Sequence, residues 1–273
     1  MTSTLVHEQL GVDRKYLKPI EFNSPFVIES RGKPVTITLF HANHCPGAAM
    51  FLFEVGGKKI LHVGDFRWNQ HLMMKIPQLR SFCNLDNRLD EIFLDTTYCD
   101  PKYRFPSQES VISKTIQVVE KEVALTGKEN ILFLFGSYTI GKEKVYMSIA
   151  KHLGMKVYVD SRRYRILSAL QWPPTDMRLL TTSKSEASML VVPMGHLNFK
   201  KMKEYGSSFS STKALSSGFK RIIGFRPTGW SYSAEANLIT RRDNGTNTIF
   251  SGERSIKSLI TLHLFHHRFW KSN

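Results

Sequence analysis

The sequence predicts an α/β protein built in two parts, and three observations carry that prediction. The first hundred residues hold short β-rich runs joined by tight, hairpin-like connections. The middle third alternates strand-like and helix-like segments in the order β-α-β-α-β, the signature of a parallel unit. Three of the early runs end in a turn bearing His44, Asp65 or Asp95, side chains able to bind a metal.

The elements follow in order. Residues 1–20 read as the end of a helix and a connector. Pro34–Phe40 (PVTITLF) and Ala49–Val55 (AMFLFEV) are β-rich, and Gly56-Gly57 marks a turn into the short strand Lys59–Val63. Glu91–Leu94 is a further short strand ending at Asp95. Beyond Cys99 the character changes. Val111, Ile112, Ile116, Val119 and Val123 recur at helical spacing, after a helix start at Pro106-Ser107 with Gln108 and Glu109. Ile131–Phe135 is a buried strand, and Lys142–Leu153 a helix with Val145, Ile149 and Leu153 on one face. Val157–Val159 is a strand, followed by a helix over Ser161–Leu170 that Pro173-Pro174 stops. Residues 204–218, rich in Ser, Gly and Lys, read as a loop, and Arg221–Phe225 as another strand. From Asn244 the pattern degrades; Leu259–Phe265 is largely apolar, and His263, His266 and His267 have nothing to position them.

The 273 residues carry a formal net charge of +15, which points to polyanionic partners, nucleic acid first among them. The basic residues are dispersed in clusters at Lys142–Lys144, Arg162–Arg165, Lys200–Lys203 and Arg241–Arg242, so a surface groove is expected and not a basic arm. No apolar stretch reaches the roughly 18 residues that span a bilayer, and the N-terminus shows no secretory h-region, so no membrane partner is expected. Three cysteines without a CxxC argue against a disulfide framework or a zinc ribbon.

The chemistry-bearing residues each admit two readings. His44 lies in NHCPG, where Pro46 and Gly47 force a sharp turn; it is a metal ligand or a structural histidine. Asp65 follows Gly64 at a strand end and suits a ligand bridging two metals, or a cap or partner of Arg67. Asp95, followed by the hydroxyls of Thr96 and Thr97, supports such a site or caps its strand. Three such turns in succession suggest one shared edge, because strand ends hold ligands more firmly than free loops. His62, between Leu61 and Val63, is expected to be a core or supporting residue, and His41 to face elsewhere. Gly136–Lys144 (GSYTIGKEK) follows a strand and opens a helix. It reads as an anion cradle using Ser137, Thr139 and Lys142, or as an ordinary capped βα loop. Glu143 stands where a Walker A motif has Ser or Thr, so triphosphate hydrolysis is not indicated. Phe225–Trp230 (FRPTGW) is a nucleic-acid contact or a packing corner.

Taken together, NHCPGA, GDFR, LDTTYC, FPSQ, SYTIGKEK and FRPTGW, in this order, resemble the DNA cross-link repair nucleases of the metallo-β-lactamase/β-CASP superfamily, the Artemis- and Apollo-like group. The resemblance runs from about Val6 to about Tyr232. It implies a partial metallo-β-lactamase αββα sandwich with an inserted β-CASP α/β domain. The implied division is 1–98 for the partial metallo-β-lactamase domain, 99–225 for the insert, 226–250 for the return to the first domain and 251–273 for a divergent tail. It further implies a nuclear, zinc-dependent 5′-to-3′ exonuclease acting on DNA with 5′-phosphorylated ends in interstrand cross-link and end repair. His44 would be a zinc ligand, Asp65 a ligand or bridge, Asp95 a supporting catalytic carboxylate, and Ser137, Thr139 and Lys142 the contacts to the 5′ end. The sequence departs from the family at two places. No H-x-H-x-D-H string precedes NHCPG, and no late Y-S-E-H-S-S type string follows FRPTGW. These departures lead to the expectation of an N-terminally truncated member whose zinc site is incomplete. The alternatives are a catalytically inactive DNA-binding fragment or pseudoenzyme, and an RNA-processing nuclease.

Overall fold

A computed structural model describes residues 1–101, 103–213 and 218–229, and the backbone of 241–243, 246–249 and 260–266. The chain divides into two compact units, Met1–Asp100 and Pro101–Asn273.

The first unit opens with α1 (Thr2–Leu10), which stops at Gly11 in left-handed backbone. Its sheet has the order β1 (Pro25–Ser30), β2 (Lys33–His41), β3 (Ala49–Val55), β4 (Lys58–His62), β5 (Glu91–Phe93). All neighbours are antiparallel except β4 and β5, which run parallel. The two hairpins turn on two residues each, Arg31-Gly32 at φ 52° and 72° and Gly56-Gly57 at φ 57° and 78°. Positive φ at both central positions matches the right-handed twist of the flanking strands. Alternation then sends Phe40, Met50, Leu52 and Leu61 to one face, where Ala42, Val63 and Met73 complete a core with Phe66, Ile76, Leu79 and Phe82 packed against it. The short helices α2 (Gln70–Met73) and α3 (Pro77–Ser81) bring the last of these residues. The opposite face carries the cross-strand rows Ile37–Phe53–Ile60 and Phe51–His62–Phe93. His62 therefore points outward, exposed and stacked on Phe93 at 5.6 Å; of the two roles the sequence offered, core or supporting residue, it does not take the core one. Its buried neighbours Leu61 and Val63 take the inner positions, which the two-residue period denies to His62.

In the second unit α4 (Gln108–Thr126) begins where Ser107 accepts a hydrogen bond from the Ser110 amide. There follow β6 (Ile131–Ser137), α5 (Glu143–Leu153), β7 (Lys156–Tyr158), α6 (Ser161–Ser168), α7 (Pro174–Met177), β8 (Leu180–Thr181), β9 (Ala187–Pro193), α8 (Phe199–Thr212) and β10 (Arg221–Pro227). The backbones of β11 (Arg241–Asp243), β12 (Thr246–Ile249) and β13 (Ile260–His266) join the same sheet. Among the described residues the order is β11-β12-β13-β10-β6-β9-β7-β8, parallel from β10 to β8 and antiparallel from β10 outward. Thus β11–β13 extend the second unit's sheet. Every residue of β6 is buried, as a central parallel strand covered on both faces requires. Leu132, Leu134, Leu190, Val192, Met202, Phe209 and Ile222 pack on one side. Phe133, Phe135, Phe225 and Tyr146 lie near one another elsewhere in the core, with the Phe135 and Phe225 rings stacked at 4.7 Å.

Helix α8 corrects the expectation of a loop at 204–218 as far as Thr212; residues 214–217 lie outside the described residues. Met202, Gly206 and Phe209, spaced by four and three residues, form its buried stripe. A β-carbon on Gly206 would lie 2.4 Å from Ile222 Cδ1, so the glycine permits close approach to β10. Packing overrides the low helix propensity of its Ser and Gly residues. Strands β1 and β9 were likewise not singled out by the sequence pattern.

Candidate functional site

In the first unit three turns meet at one end of the sheet. The first leaves β2, runs through Ala42 and returns at Ala48, the two joined by Ala42 N–H donating to the Ala48 carbonyl at 3.1 Å. Asn43 and Gly47 adopt positive φ, 55° and 82°. At Gly47 a β-carbon would lie 2.5 Å from Thr2 Oγ1, so only glycine fits. The second turn leaves β4 through Gly64, at φ 56°, whose amide donates to His62 Nδ1. Two bonds stitch it to the first: Arg67 N–H donates to the Ala42 carbonyl at 2.9 Å, and Asn43 Nδ2 donates to the Arg67 carbonyl at 3.3 Å. The third turn leaves β5 and is joined to β4 by Val63 N–H donating to the Phe93 carbonyl at 3.1 Å.

This stitching brings His44 Nε2 to 4.0 Å from Asp65 Oδ2. The imidazole is partly shielded and the carboxylate largely exposed. Asp95 accepts from the Thr97 hydroxyl at 2.6 Å and the Thr97 amide at 2.9 Å. These bonds hold its carboxyl below the usual range; the Phe66 amide and the His44 charge act in the same sense, and partial burial opposes them. The Phe66 and His44 influences locate Asp95 beside the other two turns. Arg67 is drawn inward, where burial lowers its pKa and Tyr98 and Cys45 offset that loss. Sequence reasoning considered Arg67 only as a partner for Asp65. His41, the last residue of β2, stacks on Phe22 at 3.7 Å.

The His44–Asp65 separation is compatible with two donors on one zinc ion, since two zinc–donor bonds of about 2.1 Å each reach at most about 4.2 Å. A catalytic zinc takes about three protein donors. Among the described residues no group of three His, Cys, Asp or Glu side chains could hold a metal. The pair therefore fits as part of a zinc site and does not form one alone.

In the second unit the 137–142 loop links β6 to α5. Ser137 is buried, and its hydroxyl donates to the carbonyls of Tyr138 at 3.0 Å and Gly141 at 2.9 Å. The Gly141 amide donates to Glu143 Oε1 at 2.5 Å. Glu143 is itself buried, and burial pushes its carboxyl up despite the bond from Gly141 and the charges of Arg163 and Lys142. The Ser137 hydroxyl, read from sequence as an anion contact, is thus engaged inside the loop, as is the Gly141 amide. Thr139 is exposed, and Lys142 is half-buried in left-handed backbone at φ 73°. From α6, Arg163 Nη1 donates to the Tyr138 carbonyl at 2.7 Å and, more weakly, to the Thr139 carbonyl at 3.4 Å.

The structure is thus of the α/β class, a mixed sheet carrying a strand-end His–Asp pair and a second unit with a largely parallel sheet. The comparisons narrow it. The family described as DNA repair metallo-beta-lactamase matches residues 174–258. The "DNA cross-link repair protein SNM1" of Arabidopsis thaliana is 34% identical over 266 residues, 96% of this chain and 51% of the relative. The human "DNA cross-link repair 1A protein" is 35% identical over 242 residues, 88% of this chain and 21% of the relative. The chicken "5' exonuclease Apollo" is 31% identical over 173 residues, 63% of this chain and 35% of the relative. These matches support a likeness of the chain to the Artemis- and Apollo-like, DNA cross-link repair family of metallo-β-lactamase proteins. It spans about half the length of the plant relative and about a fifth of the human one. The family implies a metal cofactor. No helix among the described residues is long and apolar enough to cross a membrane.

Proposed function

We propose that the whole protein is a zinc-dependent 5′-to-3′ exonuclease that acts on DNA in interstrand cross-link and end repair, in the nucleus. His44 and Asp65 are two of its metal donors, and Asp95 supports them from the neighbouring turn. Thr139 and Lys142 contact a 5′-terminal phosphate, with Ser137 bracing the loop that presents them. The observation that carries the reading is the approach of His44 to Asp65, 4.0 Å apart, from two turns tied together through Ala42, Asn43 and Arg67. The names of the relatives and the net charge of +15 support a DNA substrate. The proposed division is 1–98 for the partial metallo-β-lactamase domain and 99–225 for the insert.

Zinc titration of the full chain, alongside digestion of 5′-phosphorylated DNA and RNA, tests this. His44→Ala and Asp65→Asn should each weaken zinc uptake by about tenfold or more. Equal uptake by wild type and both variants would overturn the donor assignment. Metal-free protein that binds DNA with steep salt dependence, and cuts nothing, would establish the non-catalytic alternative. Faster cutting of RNA than DNA would replace the substrate.

A further inference from the structure

The second unit contains a brace that the function proposed above does not use. Arg163 sits in the first turn of α6, which is capped by Asp160 accepting from the Arg163 amide at 2.7 Å. That cap fixes the point from which the long side chain departs. Its Nη1 reaches across to the main-chain carbonyls of Tyr138 and Thr139, in the middle of the 137–142 loop. The guanidinium also lies within electrostatic reach of Glu143 and Tyr146, on the helix that the loop opens. Its Nε is buried and without a hydrogen-bond partner among the described residues, as is the Tyr146 hydroxyl. Burying such groups is unfavourable, so Arg163 is held here against a desolvation cost.

The arrangement has a specific geometric consequence. Ser137 and Glu143 secure the two ends of the loop, through the Gly141 carbonyl and the Gly141 amide. At its centre Ser137 shares the Tyr138 carbonyl with Arg163, while the Thr139 carbonyl accepts from Arg163. The peptide units of Tyr138 and Thr139 are held from α6, by Arg163. With those carbonyls drawn towards α6, the Thr139 side chain remains exposed.

We propose that Arg163 is the positioning residue of this loop: by holding the Tyr138 and Thr139 carbonyls it fixes the Thr139 hydroxyl relative to the Lys142 ammonium, and so sets selectivity for a 5′-terminal phosphate. The inference rests on the phosphate contacts proposed above. It assigns Arg163 no contact with DNA.

The test is the ratio of affinities of the full chain for 5′-phosphorylated and 5′-hydroxyl oligonucleotides of one sequence. In wild type the ratio should favour phosphate. Lys142→Ala, which removes a proposed direct contact, should bring it close to one. Arg163→Ala should lower it by about tenfold, the scale expected when a ligand-facing group shifts by a fraction of an ångström to about 1 Å. Affinity for hydroxyl ends should stay unchanged. An unaltered ratio in Arg163→Ala, with loss in Lys142→Ala, overturns the positioning role and leaves the phosphate contact intact. Equal weakening for both ends also overturns it, because Arg163 would then be a general DNA charge. A wild-type ratio of one, unmoved by Lys142→Ala, removes the phosphate reading itself. The same ratio measured on Arg163→Gln, which keeps an amide donor and most of the stem, decides the matter if the alanine variant does not fold.

Discussion

All seven residues of β6 are buried, whereas all three of β5 are exposed. Both strands precede turns with candidate functional groups, yet they stand in opposite settings. β6 is flanked in parallel by β10 and β9 and covered by side chains from α5 and α8. β5 lies at the edge of a five-stranded sheet, with Phe93 on its outward face. The difference separates the two roles of an apolar residue. In β6 it supplies folding energy, at about 1.5–3 kcal/mol for a fully buried large side chain. In β5 it sits beside the candidate ligands with little of that energy realised.

Substitutions can break this contrast, the strongest first. Phe133→Ala removes a fully buried ring and should destabilise the second unit by about 3–5 kcal/mol in urea unfolding. Gly136→Ala should cost about 1–3 kcal/mol, because its β-carbon would lie 2.7 Å from Leu197 Cδ1 and 2.8 Å from Met194 Sδ. Two carboxylates sharpen the contrast through pH. Burial raises Glu143, so its favourable contribution is complete below the ordinary value of 4.5 and is lost as pH rises through the raised one. Hydrogen bonds from Thr97 lower Asp95, so its contribution is complete above 3.8 and is lost as pH falls through the lowered one. Stability profiles of Glu143→Gln and Asp95→Asn, each minus wild type, should therefore change in separate windows, above 4.5 and below 3.8 respectively. Smallest of all, Phe93→Ala should change stability by less than about 0.5 kcal/mol, since the ring is already 53% exposed.

Strong local signals made much of this legible in the sequence. Val111 and Val119, two of the apolar residues at helical spacing, are buried in α4, and Ser107 marks its start. The NHCPG and GDFR strings marked turns at His44 and Asp65 because Pro46 restricts the backbone and Gly47 and Gly64 allow the positive φ those turns take. Other features had no local signature. In α8 the buried stripe includes Gly206, whose role depends on Ile222 in a different element. Arg163 read as one more charge in a basic cluster, because its partners Tyr138 and Thr139 are about 25 positions away. A loop serine can face a ligand or brace the main chain, and only the bond from Ser137 to Gly141 distinguishes the two.

Lys142 has a consequence for how the loop is dissected. At φ 73° its main chain occupies a region that burdens every residue with a β-carbon and spares glycine. Alanine there inherits the steric penalty and deletes only the ammonium; glycine deletes both. Comparing the two replacements divides what the chain invests in shape at this point from what it invests in electrostatics.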